Sequence, residues 1–329
     1  MHSYKEKAII KNIDLFGKID YFCEKSEDMS FDMSRIAYLA KYYLKSKFLN
    51  EKRAILAGMK ITHKCTLKCR QCPYWQRPVP DLSWGKIVLL LPEMYSKGIR
   101  ILILEGGEPL LWKDESHTVG DIVREAKKYF FSVGVTTNGT LPLDVDTDII
   151  WVSIDGLKET HDRLRGKSFE RIIENIKASK HPKIIANITV NKLNQHEIIP
   201  LVKFLAPLVQ GITMQFFYPY QESEDLLLSW EERAKVLDTF IDLKKAGYSI
   251  SDSVAALEAL KKNTWTCEGW MIANVEPDGT FDQGCYLKNR TTDENPCELC
   301  GFAAHTEISL AYQFNLQAIM AGKKILGIF

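Results

Sequence analysis

Short apolar segments alternate with helix-forming ones between residues 57 and 218, and this alternation limits the fold more than any other feature. The strand-like segments are 57–62, 99–104, 132–137, 149–154, 184–190 and 211–217. Between them lie helix-like segments at 83–97, 119–129, 169–179 and 195–205. In the first of these, Ser83 is placed to cap the start, Gly98 to stop the end and Pro92 to kink the middle. Six strands separated by helices predict an α/β protein with a parallel sheet and right-handed crossovers. In such sheets the chemistry gathers at the C-terminal ends of the strands. A further helix is expected at 230–245, with a cysteine-bearing region and a helical tail from about 263.

Cys65-Thr-Leu-Lys-Cys69-Arg-Gln-Cys72 follows the first strand. Three thiolates within eight residues can ligate three irons of a 4Fe–4S cubane. The fourth iron then has no protein ligand. Zinc prefers four ligands, usually two C-x2-C pairs, and this spacing matches that poorly. The spacing resembles that of the radical S-adenosylmethionine (radical SAM) superfamily. In that family the open iron takes the amino and carboxylate groups of S-adenosylmethionine. Many members carry an aromatic residue before the third cysteine, where this chain has Gln71.

The strand ends that follow are consistent with this resemblance. Gly106-Gly107-Glu108-Pro109 comes after the second strand and looks like the family motif for the methionine amino group. Alone it would read as a turn. Asn138, in Thr-Asn-Gly after the third strand, resembles another recurrent element. Ser153-Ile-Asp155-Gly156 ends the fourth strand and is followed by His161-Asp-Arg-Leu-Arg165-Gly166. By resemblance Ser153 and Arg165 contact the cofactor, since an arginine fork pairs well with a carboxylate. Asp155 belongs to the same motif, and Asn191 is a candidate for the ribose or adenine. Gln215 and Tyr218 end the sixth strand and are the candidates for a catalytic or pocket-lining role, against a reading as strand-end packing.

Cys267, Cys285, Cys297 and Cys300 form a second set. A Pro277-Asp278-Gly279 turn suggests a hairpin whose open end brings Cys267 and Cys285 together, with Cys297-Glu-Leu-Cys300 as a chelating pair. Four thiolates suit either a zinc ribbon or a fully ligated 4Fe–4S cluster. The resemblance to superfamily members with SPASM or twitch extensions implies an auxiliary cluster. The set here is a shortened one. Cys23 reads as a buried structural thiol.

Composition sets the outer bounds. Lys and Arg (43) balance Asp and Glu (42), so no global field gathers nucleic acid. The N-terminus lacks a secretory h-region, and no apolar run is long enough to span a bilayer, so a cytoplasmic protein with reduced thiols is expected. Residues 33–49 read as a basic amphipathic helix, packed on the main domain or resting on a membrane surface. The expected architecture is a helical segment (1–55), a partial (β/α)6 TIM-type barrel (56–228), connecting helices (229–262), and an auxiliary-cluster lobe with a C-terminal helix (263–329). The resemblance implies reduction by a ferredoxin or flavodoxin, anaerobic chemistry, and a 5′-deoxyadenosyl radical. That radical would abstract hydrogen from, or add to, a peptide, a lipid or isoprenoid, or a small molecule. Two alternatives are a hopanoid-type adenosyl-transferring enzyme at the membrane surface and a non-enzymatic iron–sulfur or zinc scaffold.

Overall fold

A computed structural model describes residues 17–77, 79–219, 223–287 and 295–328 of the chain. Residues 1–16 and the Cys23 side chain, both covered by the expectations above, lie outside the described residues. Two compact units result. One holds the N-terminal residues and the last two; the other is Lys52–Gly327. Among the described residues the first contains one long helix, α1 (Gly17–Phe48). Met33, Ile36, Leu44 and Phe48 lie exposed along one of its faces.

The larger unit is built on one eight-stranded sheet. Six parallel strands form it in chain order: β1 (Leu56–Thr62), β2 (Ile101–Gly106), β3 (Ser132–Thr137), β4 (Ile149–Ser153), β5 (Ile184–Val190) and β6 (Gly211–Phe216). Each pairs with the next, and the result is the open, partial barrel expected from the sequence. The helices between are α2 (Trp84–Ser96), α3 (Val119–Ala126), α4 (Lys158–Arg165), α5 (Phe169–Ala178) and α6 (Ile198–Leu205). Ser83 caps α2 by accepting from the Lys86 amide, and the helix runs on through Pro92. After β6 come α7 (Trp230–Lys245), with its Ser229/Glu232 capping box, and α8 (Val254–Lys262). The chain ends with α9 (Ala303–Tyr312) and α10 (Leu316–Leu326).

Two features depart from the sequence reading. Helix α4 is not among the helices expected from the sequence, because its polar KETHDRLR shows little apolar periodicity. The C-terminal hairpin, β7 (Ile272–Val275) and β8 (Phe281–Gln283), is not detached from the barrel. β7 pairs in parallel with β1, so the hairpin continues the barrel sheet at its first edge.

Side-chain alternation gives the sheet two contrasting faces. Ala57, Met59, Ile61, Val133, Val135, Ala186, Ile188, Ile212 and Met214 join the hydrophobic core under the helices. On the opposite, concave face the intervening residues are mostly polar. Lys60 lies 2.7 Å from Glu105, Asn187 accepts from Thr213, and Gln215 donates to Thr189.

Candidate active site

The three-cysteine loop starts where β1 and β2 fall out of register, between Lys60 and Thr62. Gly106 and Gly107 are wedged against this strand end. The Gly107 amide donates to Thr62 O (2.8 Å) and the Glu108 amide to Lys64 O (2.8 Å). A Cβ on Gly107 would lie 2.3 Å from Lys64 O, and Gly106 holds φ +139°. Only glycines allow this approach, and it fixes the backbone leading into Cys65.

Cys69 is buried, while Cys65 and Cys72 are half-buried. The Leu67 amide and Asn138 Nδ2 both donate to Cys65 Sγ at 3.5 Å. Asn138 also donates to Thr66 and accepts from Thr140, which ties the Thr-Asn-Gly turn to the cysteine loop. Burial pushes the Cys69 thiol up to about 12, against the pull of the Arg165 guanidinium; burial raises Cys65 too. Iron ligation would take those protons. Among the described residues no three ligating side chains converge on one metal ion. Thiols that bind three different irons of a cubane need not converge.

Glu108 is fully buried and spent within the protein. Its carboxylate accepts from Thr137 Oγ1 (2.7 Å), the Asn138 amide (2.7 Å) and the Leu110 amide (3.1 Å). It braces the turn, leaving backbone carbonyls as the groups the motif can present; Pro109 is buried beside it.

Asp155 is the hub of the site. Its Oδ2 accepts from Arg165 Nε (2.6 Å) and Gln71 Nε2 (2.9 Å), and its Oδ1 accepts from the Thr189 amide. One buried carboxylate thereby joins β4, β5, α4 and the cysteine loop. Burial alone would lower the Arg165 pKa, but Asp155 and the neighbouring thiols hold it above its usual value. Its terminal nitrogens have no protein partner among the described residues. Gln71 Oε1 is buried without a partner. His161 lies beneath, accepting from the Asp155 amide through Nδ1, and burial lowers its pKa to about 4. It is therefore neutral, with Nε2–H aimed at Ser168.

Three other candidates stand as follows. Ser153 is buried at the end of β4. Asn191 accepts from the Leu193 amide and donates to Thr189 O, the geometry of a turn asparagine. Tyr218 is buried in a cluster with Leu287, Cys300 and Phe302.

Cys267, Cys285, Cys297 and Cys300 line one cavity of about 350 Å³, together with Trp265 and His305. Tyr74, two residues past Cys72, and Tyr286, next to Cys285, bring their hydroxyls within 3.1 Å, so the two cysteine regions are in contact.

Comparison with known proteins agrees with this geometry. Residues 59–205 match the family model of the Radical SAM superfamily. The chain is similar to the sporulation killing factor maturation protein SkfB of Bacillus subtilis, at 28% identity over 163 residues (45% of this chain, 39% of SkfB). It is also similar to the AdoMet-dependent heme synthase of Methanosarcina barkeri, at 36% over 160 residues (44% of each chain). A longer alignment, 28% over 263 residues, links it to a probable GTP 3′,8-cyclase of Thermococcus kodakarensis (70% of this chain, 83% of that one). The chain thus spans less than half the length of the first two relatives. Among solved structures, SuiB of Streptococcus suis bound to precursor peptide SuiA superposes with a TM-score of 0.59 at 14% identity (79% of this chain, 66% of SuiB). AdoMet-bound anSMEcpe gives 0.54 at 16% identity (83% of each chain). Both show a shared fold. The match to the Radical SAM superfamily thus covers residues 59–205, the stretch that carries the three-cysteine loop and the strand-end motifs.

Proposed function

We propose that this chain is a radical SAM enzyme acting on a hydrophilic substrate, either a peptide or a polar small molecule. One observation carries the cofactor reading. The three thiols sit on a single loop at the C-terminal end of β1, with the Leu67 amide and Asn138 Nδ2 donating to Cys65 and the Gly106–Gly107 turn wedged behind them. When bound, a 4Fe–4S cluster on Cys65, Cys69 and Cys72 supplies one electron to the sulfonium of S-adenosylmethionine, giving methionine and a 5′-deoxyadenosyl radical. The protein's own groups bind and orient. Asp155 holds Arg165 by its Nε and leaves the terminal nitrogens for the methionine carboxylate, beside Ser153. Carbonyls of the Gly106–Pro109 turn suit the amino group. A shortened SPASM/twitch-type extension holds a second cluster on Cys267, Cys285, Cys297 and Cys300, which line one cavity. A ferredoxin or flavodoxin supplies the electrons.

The concave face supports the substrate class. Lys60, Glu105, Asn187, Thr189, Thr213 and Gln215 give it charges, carboxamides and hydroxyls, which an isoprenoid chain would desolvate without replacing their hydrogen bonds. The relatives named above include a killing factor maturation protein, a heme synthase and a probable GTP 3′,8-cyclase. To test the cofactor site, the anaerobically reconstituted and reduced protein is examined by EPR with and without S-adenosylmethionine. A changed cluster spectrum is expected; an unchanged one in a fully iron-loaded protein overturns the reading.

A second reading, peripheral membrane contact, is favoured by the exposed apolar face of α1, where Met33 is 64% and Phe48 73% exposed among Lys41, Lys45 and Lys47. No helix of the described residues is long and apolar enough to cross a membrane. Sedimentation with anionic liposomes, with and without residues 31–49, tests it. Equal sedimentation of the two forms counts against it.

A further inference from the structure

Arg233 is among the largest fully buried side chains of the described residues, at 2% exposure. Its guanidinium lies between the Phe216 and Trp230 rings, 4.8 and 5.0 Å from their centroids. It donates to the backbone carbonyls of Leu299 (2.9 Å) and Cys300 (3.2 Å). No carboxylate pairs with it among the described residues. A buried cation without a counter-ion is costly, and an anion in the neighbouring cavity would supply one. Burial lowers its pKa to about 10, which still leaves it charged at neutral pH, and the ionisable group that opposes this lowering is Cys300.

The cavity beside it contains two more unsatisfied groups. Trp265 Nε1 is buried with no partner, as are both ring nitrogens of His305, and both residues line the space between the four thiols. Buried N–H donors are almost always paired, so two unpaired ones on a single cavity point to an acceptor that fills it. A tetrathiolate-bound cubane has the required character. It is anionic, its sulfurs accept weak hydrogen bonds, and it becomes more negative on reduction.

We infer that Arg233, Trp265 and His305 are the counter-charge and the N–H donors of an anionic cluster held by Cys267, Cys285, Cys297 and Cys300, and that together they raise its reduction potential. The inference rests on the second-cluster reading given above. Arg233 acts through the Leu299–Cys300 backbone and through its charge, so it is a positioning residue. Trp265 and His305 act by hydrogen bonding to sulfur. All three favour the reduced, more negative form, because hydrogen bonds and cations near a cluster stabilise added charge. A raised potential suits a centre that accepts an electron.

The test uses the anaerobically reconstituted full chain. Iron content and both midpoint potentials are measured for wild type, Trp265→Phe, His305→Leu, Arg233→Met and Arg233→Lys. The first cluster is recognised by its response to S-adenosylmethionine. Wild type should hold about eight irons, as two clusters of four require. In Trp265→Phe and His305→Leu, iron should be retained and only the second midpoint should fall. Arg233→Met should lower that midpoint further or shed iron from the second site alone, with partial recovery in Arg233→Lys. Full iron with an unmoved second midpoint in both Trp265→Phe and His305→Leu overturns the inference. So does strong imidazole nitrogen coupling to the second cluster in wild type, which would make His305 a ligand. About four irons plus zinc in wild type would instead defeat the second-cluster reading itself.

Discussion

Gln71 Nε2 donates to Asp155 Oδ2 at 2.9 Å, although the two residues are 84 positions apart. The contact ties the cysteine loop to the strand-four motif through the carboxylate oxygen that also accepts from Arg165. The residue that stands where the family usually has an aromatic is therefore hydrogen-bonded to the Asp155 carboxylate here. Asp155→Asn would leave the buried Arg165 unpaired. Removing one partner of a buried ion pair costs on the order of 3–5 kcal/mol. A drop of about that size in urea-unfolding stability is expected, together with weaker S-adenosylmethionine binding. Unchanged values for both would show that the hub is dispensable.

Gly107→Ala should disturb the cysteine loop directly. The added Cβ meets the Lys64 and His63 carbonyls at 2.3 and 2.5 Å, both backbone atoms that cannot rotate away. Overpacking of this kind typically costs about 1–3 kcal/mol. Because the strand end must shift just before Cys65, iron should fall at the first site and stay at the second. Equal loss at both sites would indicate general unfolding instead.

Stability of the metal-free protein should fall as pH rises from 6.5 to 8. Burial pushes the Asp252 carboxyl up to about 7, and burial together with Asp252 pushes Glu307 up to about 8. Both groups hold protons in the folded state that the unfolded chain has already released, so stability is lost as pH climbs through their folded values. His161 and His305, lowered to about 4 by burial, act in the opposite sense, but only below 6.5. The expected decline is about 1–2 kcal/mol at 1.36 kcal/mol per pH unit per proton. It should appear as a falling urea midpoint and flatten in Glu307→Gln; a flat wild-type profile would contradict the assignment.

Much of this was legible in the sequence because the strands announce themselves. Segments such as 132–137 and 184–190 are apolar, β-branched and bounded by turn residues, and each motif sits where its strand must stop. The cysteine spacings and the Pro277-Asp278-Gly279 turn have few alternative readings. What stayed hidden depends on burial. The three internal hydrogen bonds of Glu108 and the turn that Asn191 closes are not readable from the sequence. Arg233 and His305 lie in ordinary helical sequence, and nothing local marks them as buried beside a cysteine cavity. The parallel pairing of β7 with β1 joins strands more than two hundred residues apart, which no local pattern encodes.

The most direct test of the central claim is 5′-deoxyadenosine itself. Wild type and a Cys69→Ala variant are reconstituted with iron and sulfide, reduced with dithionite, and given S-adenosylmethionine, with iron counted in each. The account predicts 5′-deoxyadenosine from wild type and none from the variant, which keeps the iron of the second site. A fully loaded wild-type protein that forms none, or a variant that forms as much as wild type, would contradict it.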